Sequence, residues 1–368
     1  MSDYVEDLKQ TIEQEENIES DMDEEEVAPS RYDITSYGID FDVDGVVKRI
    51  TKGDIFIPSF QRNFIWNMTE SSRFVESLLL GLPVPGIFLA QDPDTGKMLV
   101  IDGQQRLLSL KYFFEGFFNP KEGAASKRVF KLVKVQEPYS GKTCKSLDER
   151  DRINLENCVI HATVVKQDSP SDDDTSIYHI FERLNSGGRK LTAQEIRTAV
   201  YHGTFLELLE ELNSHSEWRS IFGPVNDRMR DQELILRFFA MLQEAGDYKK
   251  PMVDFLNRFL KKNRNLSEHE LEYYRNIFIQ TINTFYQAVG SKVFRPVRAL
   301  NVATYEASMV GLAKRILSSG DCDQSHVAEA YQKLNGDPKF KELISQSTTD
   351  IANVTERLSI ATNIFMEV

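Results

Sequence analysis

The sequence predicts an α+β domain followed by an all-helical domain. Three observations carry this reading: short apolar runs separated by turn signals between residues 32 and 166, helical periodicity without strands after Asp172, and a polar acidic stretch ahead of both. The expected divisions are a disordered acidic tail over 1–31, the α+β domain over 32–202 and the helical domain over 203–368. With 368 residues, 41% of them hydrophobic and 27% charged, the chain has apolar material for two cores. The same figures exclude a collagenous, wholly disordered or membrane-spanning class.

Residues 1–30 hold 12 Asp or Glu and one Lys, so of the net charge of −13 only −2 belongs to the rest of the chain. Such a stretch cannot bury enough apolar surface to offset the entropy of ordering, which predicts a solubilising tail. A sharper alternative is an acidic mimic that covers a basic groove on the nearly neutral body.

The first elements mix types. Val46, Val47 and Ile50 fit a short helix, Ile55, Phe56 and Ile57 before Pro58 an edge strand, and Thr69 starts a helix that stops at Gly81. Two apolar runs, 87–91 and 97–102, flank the Asp92-Pro93-Asp94-Thr95-Gly96 turn signal and predict a hairpin. A helix from Gly103 to Glu115 follows, with Leu107, Leu110 and Phe114 on one face, and strands near 129–133 and 158–166 complete a small sheet. Beyond it, helices are predicted at about 175–185, 192–202, 204–213, 230–244, 252–262, 267–288, 297–317, 323–334 and 348–365.

Cys144, Cys158 and Cys322 form no C-x-x-C pair, so free thiols are expected in place of a disulfide framework or zinc site. The start of the chain is acidic where a secretory signal is basic, and the apolar stretch 75–90 is broken by Pro83 and Pro85. A cytoplasmic location without membrane insertion is the expectation.

Three polar segments could carry chemistry. In Asp102-Gly103-Gln104-Gln105-Arg106 a strand runs straight into a helix, whose first N–H groups and positive dipole end favour an anion. Gly103 would let a phosphate approach the backbone, Arg106 would supply a guanidinium, and Asp102 could hold Mg²⁺ or orient a water. A plain N-cap at Asp102 with Arg106 in solvent explains the same residues equally well. In the second segment Gln61 and Arg62 are bracketed by Phe60, Phe64 and Trp66, which could hold them rigidly over a phosphate or base edge or could simply fill the core. The third runs from Phe181 through Asn185, Gly187, Gly188, Arg189 and Lys190 to Thr192 and Glu195. Thr192 and Glu195 read as a capping box, while Asn185, Arg189 and Lys190 could reach a nucleotide or DNA backbone. Farther on, Arg228, Arg230, Arg237, Lys249, Lys250, Arg258, Lys261, Lys262 and Arg264 read by default as solvated helix faces and less readily as a DNA-contacting stripe.

Together the three segments resemble the amino-terminal domain family of the GmrSD type IV restriction enzymes. That family's pattern runs F-Q-R-x-x-x-W, then D-G-Q-Q-R, then F-x-x-L-N-x-x-G-x-x-L-x-x-x-E. It is met here by Phe60-Gln61-Arg62 with Trp66, by Asp102 to Arg106, and by Phe181, Leu184, Asn185, Gly188, Leu191 and Glu195. Arg230-Asp231-Gln232-Glu233 and Phe294-Arg295 look like a weaker helical continuation. The resemblance implies a ParB- and sulfiredoxin-like fold in which a Gly-x-x-Arg turn holds nucleotide phosphates. It further implies NTP with Mg²⁺ as cofactor, DNA as partner and a role in restriction or antiphage defence.

Under that resemblance Asp102, Gln104, Gln105 and Arg106 are the candidate catalytic residues, with Asp102 also the candidate metal ligand. Gly103, Gln61, Arg62, Asn185, Arg189 and Lys190 would bind the nucleotide. Members that cut DNA generally carry a His-Asn-His nuclease domain, whereas the six histidines here (161, 179, 202, 215, 269, 326) are scattered. The expected function is therefore nucleotide-dependent DNA recognition, with a separately encoded nuclease as a possible partner. The alternatives are a ParB-like nuclease using the same pocket, or a non-catalytic nucleotide-sensing regulator.

Overall fold

The computed structural model describes residues 33–57, 64–92, 95–120, 127–169, 180, 191–320 and 322–367. These divide into two compact units, one of residues up to 191 with 195–200, the other of 192–194 with 201 onward.

The first unit is α+β. Its strands are β1 (Asp33–Asp42), β2 (Ile55–Phe56), β3 (Ile87–Gln91), β4 (Met98–Asp102) and β5 (Val159–Ser169), in the sheet order β1-β5-β3-β4-β2. β1 and β5 are antiparallel, β5 and β3 parallel, β3 and β4 antiparallel, and β4 and β2 parallel, so the sheet is mixed. Helices α1 (Val43–Lys52), α2 (Met68–Leu79), α3 (Gln104–Glu115) and α4 (Glu149–Glu156) belong to the same unit. Val43, Val46, Val75, Leu107, Leu110 and Phe113 join Leu89, Val100, Ala162 and Val164 of the sheet in one buried cluster. Each Val, Leu or Phe among them contributes about 1.5–3 kcal/mol by leaving water.

Helix ends are fixed locally. Asn67 Oδ1 accepts from Thr69 N at 2.8 Å and Glu70 N at 3.1 Å, while Glu70 Oε2 accepts from Asn67 N at 2.7 Å. This capping box starts α2 one residue before the predicted Thr69. The predicted hairpin is β3 and β4, and the predicted helix after Gly103 is α3.

Two expectations fail. The stretch 129–133 is not a strand: among the described residues it makes one isolated bridge, Phe117 to Val129. Its alternation is real, with Phe130 and Leu132 buried and Lys131 exposed, but its backbone bonds go elsewhere. Phe130 N donates to Gly116 O at 3.0 Å, Leu132 N to Lys142 O at 2.9 Å and Val133 N to Ser72 Oγ at 3.0 Å. Conversely, β1 was not expected, because its sequence is acidic, contains Gly38 and exposes nearly every residue after Asp33 until Phe41.

The second unit is helical. It contains α6 (Thr204–Asn213), α7 (Ser216–Phe222), α8 (Arg230–Glu244), α9 (Met252–Lys262), α10 (Glu268–Val289), α11 (Val302–Ser319), α12 (Gln324–Gly336), α13 (Pro338–Leu343) and α14 (Ile351–Met366); α5 (Ala193–Val200) is divided between the units. The sequence did not point to α4, α7 or α13, each eight residues or fewer and too short for a periodic signal. Phe205, Phe239, Tyr274 and Phe278 form a ring cluster with centroid separations of 5.0–6.1 Å. Gly311 on α11 lets α14 approach closely, since a Cβ there would lie 3.0 Å from the Ala361 carbonyl. The predicted helix over 175–185 lies outside the described residues, apart from Ile180. All three cysteines are free. No helix among the described residues is long and apolar enough to cross a membrane.

Candidate functional site

β4 passes into α3 through Gly103, whose φ of 100° and ψ of 7° place it in the left-handed region that glycine tolerates. A Cβ on Gly103 would sit 2.4 Å from Ile87 Cγ2, so glycine is required by packing as well as by the turn. Gly103 is the N-cap of α3 and no side chain caps the helix. The first-turn N–H groups of Gln104, Gln105 and Arg106 therefore have no intrahelical acceptor and add their partial positive charge at this end.

Asp102 is not that cap. Its Oδ2 accepts from Arg106 NH2 at 2.8 Å, one helical turn away, and Arg106 NH1 donates to Pro85 O at 3.1 Å. The Arg106 side chain is only 14% exposed while Asp102 is 52% exposed. The guanidinium is thus held inside the turn, contrary to a solvent position, and the carboxylate presents its free edge to water.

The two glutamines differ. Gln105 Oε1 accepts from Ile65 N at 3.1 Å and Trp66 N at 3.2 Å, which ties the end of the aromatic segment to the start of α3. Phe64 packs edge-on against Tyr112 at 5.2 Å and Phe118 at 5.6 Å, fixing the same segment from the other side. Gln104 Oε1 is buried and accepts no hydrogen bond. An unsatisfied buried acceptor costs about 1–3 kcal/mol, which a bound donor or an ordered water recovers.

The structure thus brings Asp102, Gly103, Gln104, Gln105 and Arg106 together with Ile65 and Trp66. Gln61, Arg62, Asn185, Arg189 and Lys190 lie outside the described residues. Sequence reasoning missed Pro85, which read only as a break in an apolar run; its contribution is a backbone carbonyl, and residue type gives no signal for that. It also missed Asp40 and His161, paired at 2.8 Å across β1 and β5 beside Gly38 and Gly86.

A Mg²⁺ ion accompanying a nucleotide would find one protein carboxylate here, Asp102. Among the described residues no group of three or more His, Cys, Asp or Glu is placed to hold a metal. One carboxylate fits a Mg²⁺ that is held mainly by phosphates and water, and does not fit an all-protein cage.

The Arg- and Asp-rich start of α8 plays another part. Arg230, Asp231, Glu233 and Arg237 are all at most 4% exposed. Asp231 Oδ2 accepts from Arg219 NH1 at 2.8 Å, Asn213 Nδ2 at 3.0 Å and Asn226 N at 3.1 Å. Arg237 donates to Glu233 at 3.2 Å and Glu306 at 3.1 Å, and Glu306 also accepts from Arg357 at 2.5 Å. Burial opposes the charge on Arg237, yet Glu233 and Glu306 outweigh it and hold the guanidinium above its ordinary range. These residues stabilise the helical unit from inside.

The family comparison falls mainly on the first unit. Residues 43–202 match the family model described as the GmrSD restriction endonuclease, N-terminal domain. A stretch of 119 aligned residues is 33% identical to the uncharacterized protein MJ0686 of Methanocaldococcus jannaschii, covering 26% of this chain and 18% of that protein. The chain therefore spans less than a fifth of the curated relative it matches. No solved structure matches. Residues 43–202, which hold the Asp102–Arg106 turn and its aromatic support, are thus similar to the N-terminal domain of the GmrSD restriction endonucleases.

Proposed function

We propose that the α+β unit is a nucleotide-binding, DNA-recognising module of a restriction or antiphage defence system, built on a ParB-like arrangement of strand, glycine turn and helix. The observation that carries the reading is the start of α3: no side-chain cap, Arg106 fixed in its first turn, and the buried unbonded Gln104 Oε1 beside it. In this reading the N–H groups of the turn bind the terminal phosphates and Arg106 neutralises them. Gln104 accepts from a donor on the nucleotide. Gln105 holds the aromatic segment in place, and Gln61, Arg62, Asn185, Arg189 and Lys190 are the further residues expected to bind the nucleotide.

When bound, Mg²⁺ would screen the phosphates, and Asp102 would reach it with the carboxylate edge that Arg106 leaves free. Hydrolysis would require Asp102 to orient water as well. A sensing role without turnover has its own support, since the Asp102 carboxylate is already engaged by Arg106.

The test is phosphate release from each of the four nucleoside triphosphates with Mg²⁺, with and without DNA, beside calorimetric binding and nicking of a supercoiled plasmid. Wild-type binding that Arg106→Ala abolishes is the expected result. Binding without phosphate release assigns the module to sensing, and nicking without nucleotide assigns it to direct DNA cleavage. Absence of binding to all four nucleotides overturns the reading.

A further inference from the structure

We infer that the irregular segment after α3 is a DNA backbone-binding edge, formed by Lys127, Arg128, Lys131 and Lys134. The inference rests on the reading that this unit acts on DNA, and it names the surface that does so. All four residues are exposed, and among the described residues none forms an ion pair. Neighbouring cations behave differently, since Lys111 pairs with Glu115 and Lys142 with Asp148. Leaving four adjacent cations without carboxylates is what a polyanion site requires, because each phosphate then meets a cation with no internal competitor.

The segment is also held rigid. Phe130 and Leu132 are fully buried in the core, which turns Lys131 outward between them. Lys134 follows with a φ of 55°, a bend that ends the extended run. Lys127 Nζ lies 5.5 Å from the centre of the Phe117 ring and the Arg128 guanidinium 5.7 Å from that of Phe118. Rings beneath the two cations limit their freedom before any ligand arrives.

The edge connects to the nucleotide turn. Phe118, beneath Arg128, packs on Phe64 at 5.6 Å and on Phe130 at 5.2 Å, and the Ile65 and Trp66 N–H groups that follow Phe64 donate to Gln105. DNA on the basic edge would therefore press on the rings that position the first turn of α3.

The experiment measures anisotropy of a labelled DNA duplex with the full-length protein across a salt series. The variant is Arg128→Ser/Lys131→Ser/Lys134→Asn, with Asn chosen because it tolerates the left-handed backbone. Each lost phosphate contact flattens the plot of log affinity against log salt by about 0.9, so the variant should lose about 2.7 of slope and at least about tenfold in affinity near 100 mM salt. Lys249→Ser/Arg258→Ser/Lys292→Ser removes the same charge from exposed positions of the helical unit and should keep the wild-type slope. Arg128→Lys/Lys131→Arg/Lys134→Arg should also keep it, and unchanged melting temperatures confirm folding. If the first variant binds like the wild type, or the helical-unit variant loses as much, the edge is not the site although DNA binding stands. If the wild-type protein binds no duplex even at low salt, the edge and the DNA reading fall together.

Discussion

The two units treat charge in opposite ways. In the helical unit Arg237, Glu233, Glu306 and Arg357 are buried together and pair their charges, two cations against two anions, although Arg357 Nε makes no hydrogen bond. In the α+β unit the Asp102–Arg106 pair is half open, Gln104 keeps a buried acceptor unused, and the edge after α3 carries exposed cations without acids. Closed networks fix a fold, whereas open ones leave valence for a ligand. Asp231 and Asp102, both acidic and both near the start of a helix, are separated by this criterion.

The sharpest way to break the contrast is Glu306→Gln. It removes the carboxylate that Arg237 and Arg357 both bind and leaves Glu233 to Arg237, and removing one partner of a buried charge cluster costs about 3–5 kcal/mol. Urea denaturation should show a loss of that size with an unchanged slope; a loss below about 1 kcal/mol would mean that the cluster is not closed. Gly103→Ala comes next. A left-handed backbone and a contact with Ile87 give an expected loss of about 2–4 kcal/mol, combining αL strain with overpacking. A variant as stable as the wild type would show that the turn relaxes freely.

Asp102→Asn sharpens the functional side. The pair is half exposed and its contribution to stability is discounted accordingly to about 0–1 kcal/mol. The melting temperature should stay close to wild type while metal-dependent phosphate release falls at least about tenfold, as an amide is a poor ligand for a hard dication. Turnover at the wild-type rate would remove Asp102 from the chemistry.

The smallest effect is acid dependence at the surface. Hydrogen bonds from Arg275, at 2.8 and 3.0 Å, hold Glu211 below the ordinary carboxylate range against slight desolvation. A lowered folded pKa stabilises above the unfolded value of about 4.3, and that stabilisation is lost as pH falls through the folded value. Glu211→Gln should therefore lower the melting temperature slightly at pH 7, with the difference closing in acid. A difference that persists unchanged at low pH would assign it to packing.

Much of the candidate turn was legible, because a strand that ends in Asp-Gly and opens a helix leaves a local pattern. The partners were not. Arg106 binds the Pro85 carbonyl 21 residues earlier, and Arg237 binds Glu306 69 residues later. Whether a charge is buried depends on such distant groups, so Arg230 and Arg237 read as surface in the sequence and are interior in the fold. The predicted strand at 129–133 does alternate between buried and exposed side chains, but a strand also needs a neighbour with a free edge, which is a property of the assembled sheet.

The pairing of β1 with β5 has a consequence for how this unit is made. Asp40 faces His161 across 121 residues, and among the described residues β5 is the one strand paired with β1. On the ribosome the first strand must wait, with its backbone groups in water, until the last has emerged. Closing so long a loop is slow, and the interval leaves an unpaired strand edge open to association with other chains. Slower elongation across β5 should lengthen that interval and raise the yield of aggregated protein, while a pause placed far enough downstream for β5 to have left the ribosome should not.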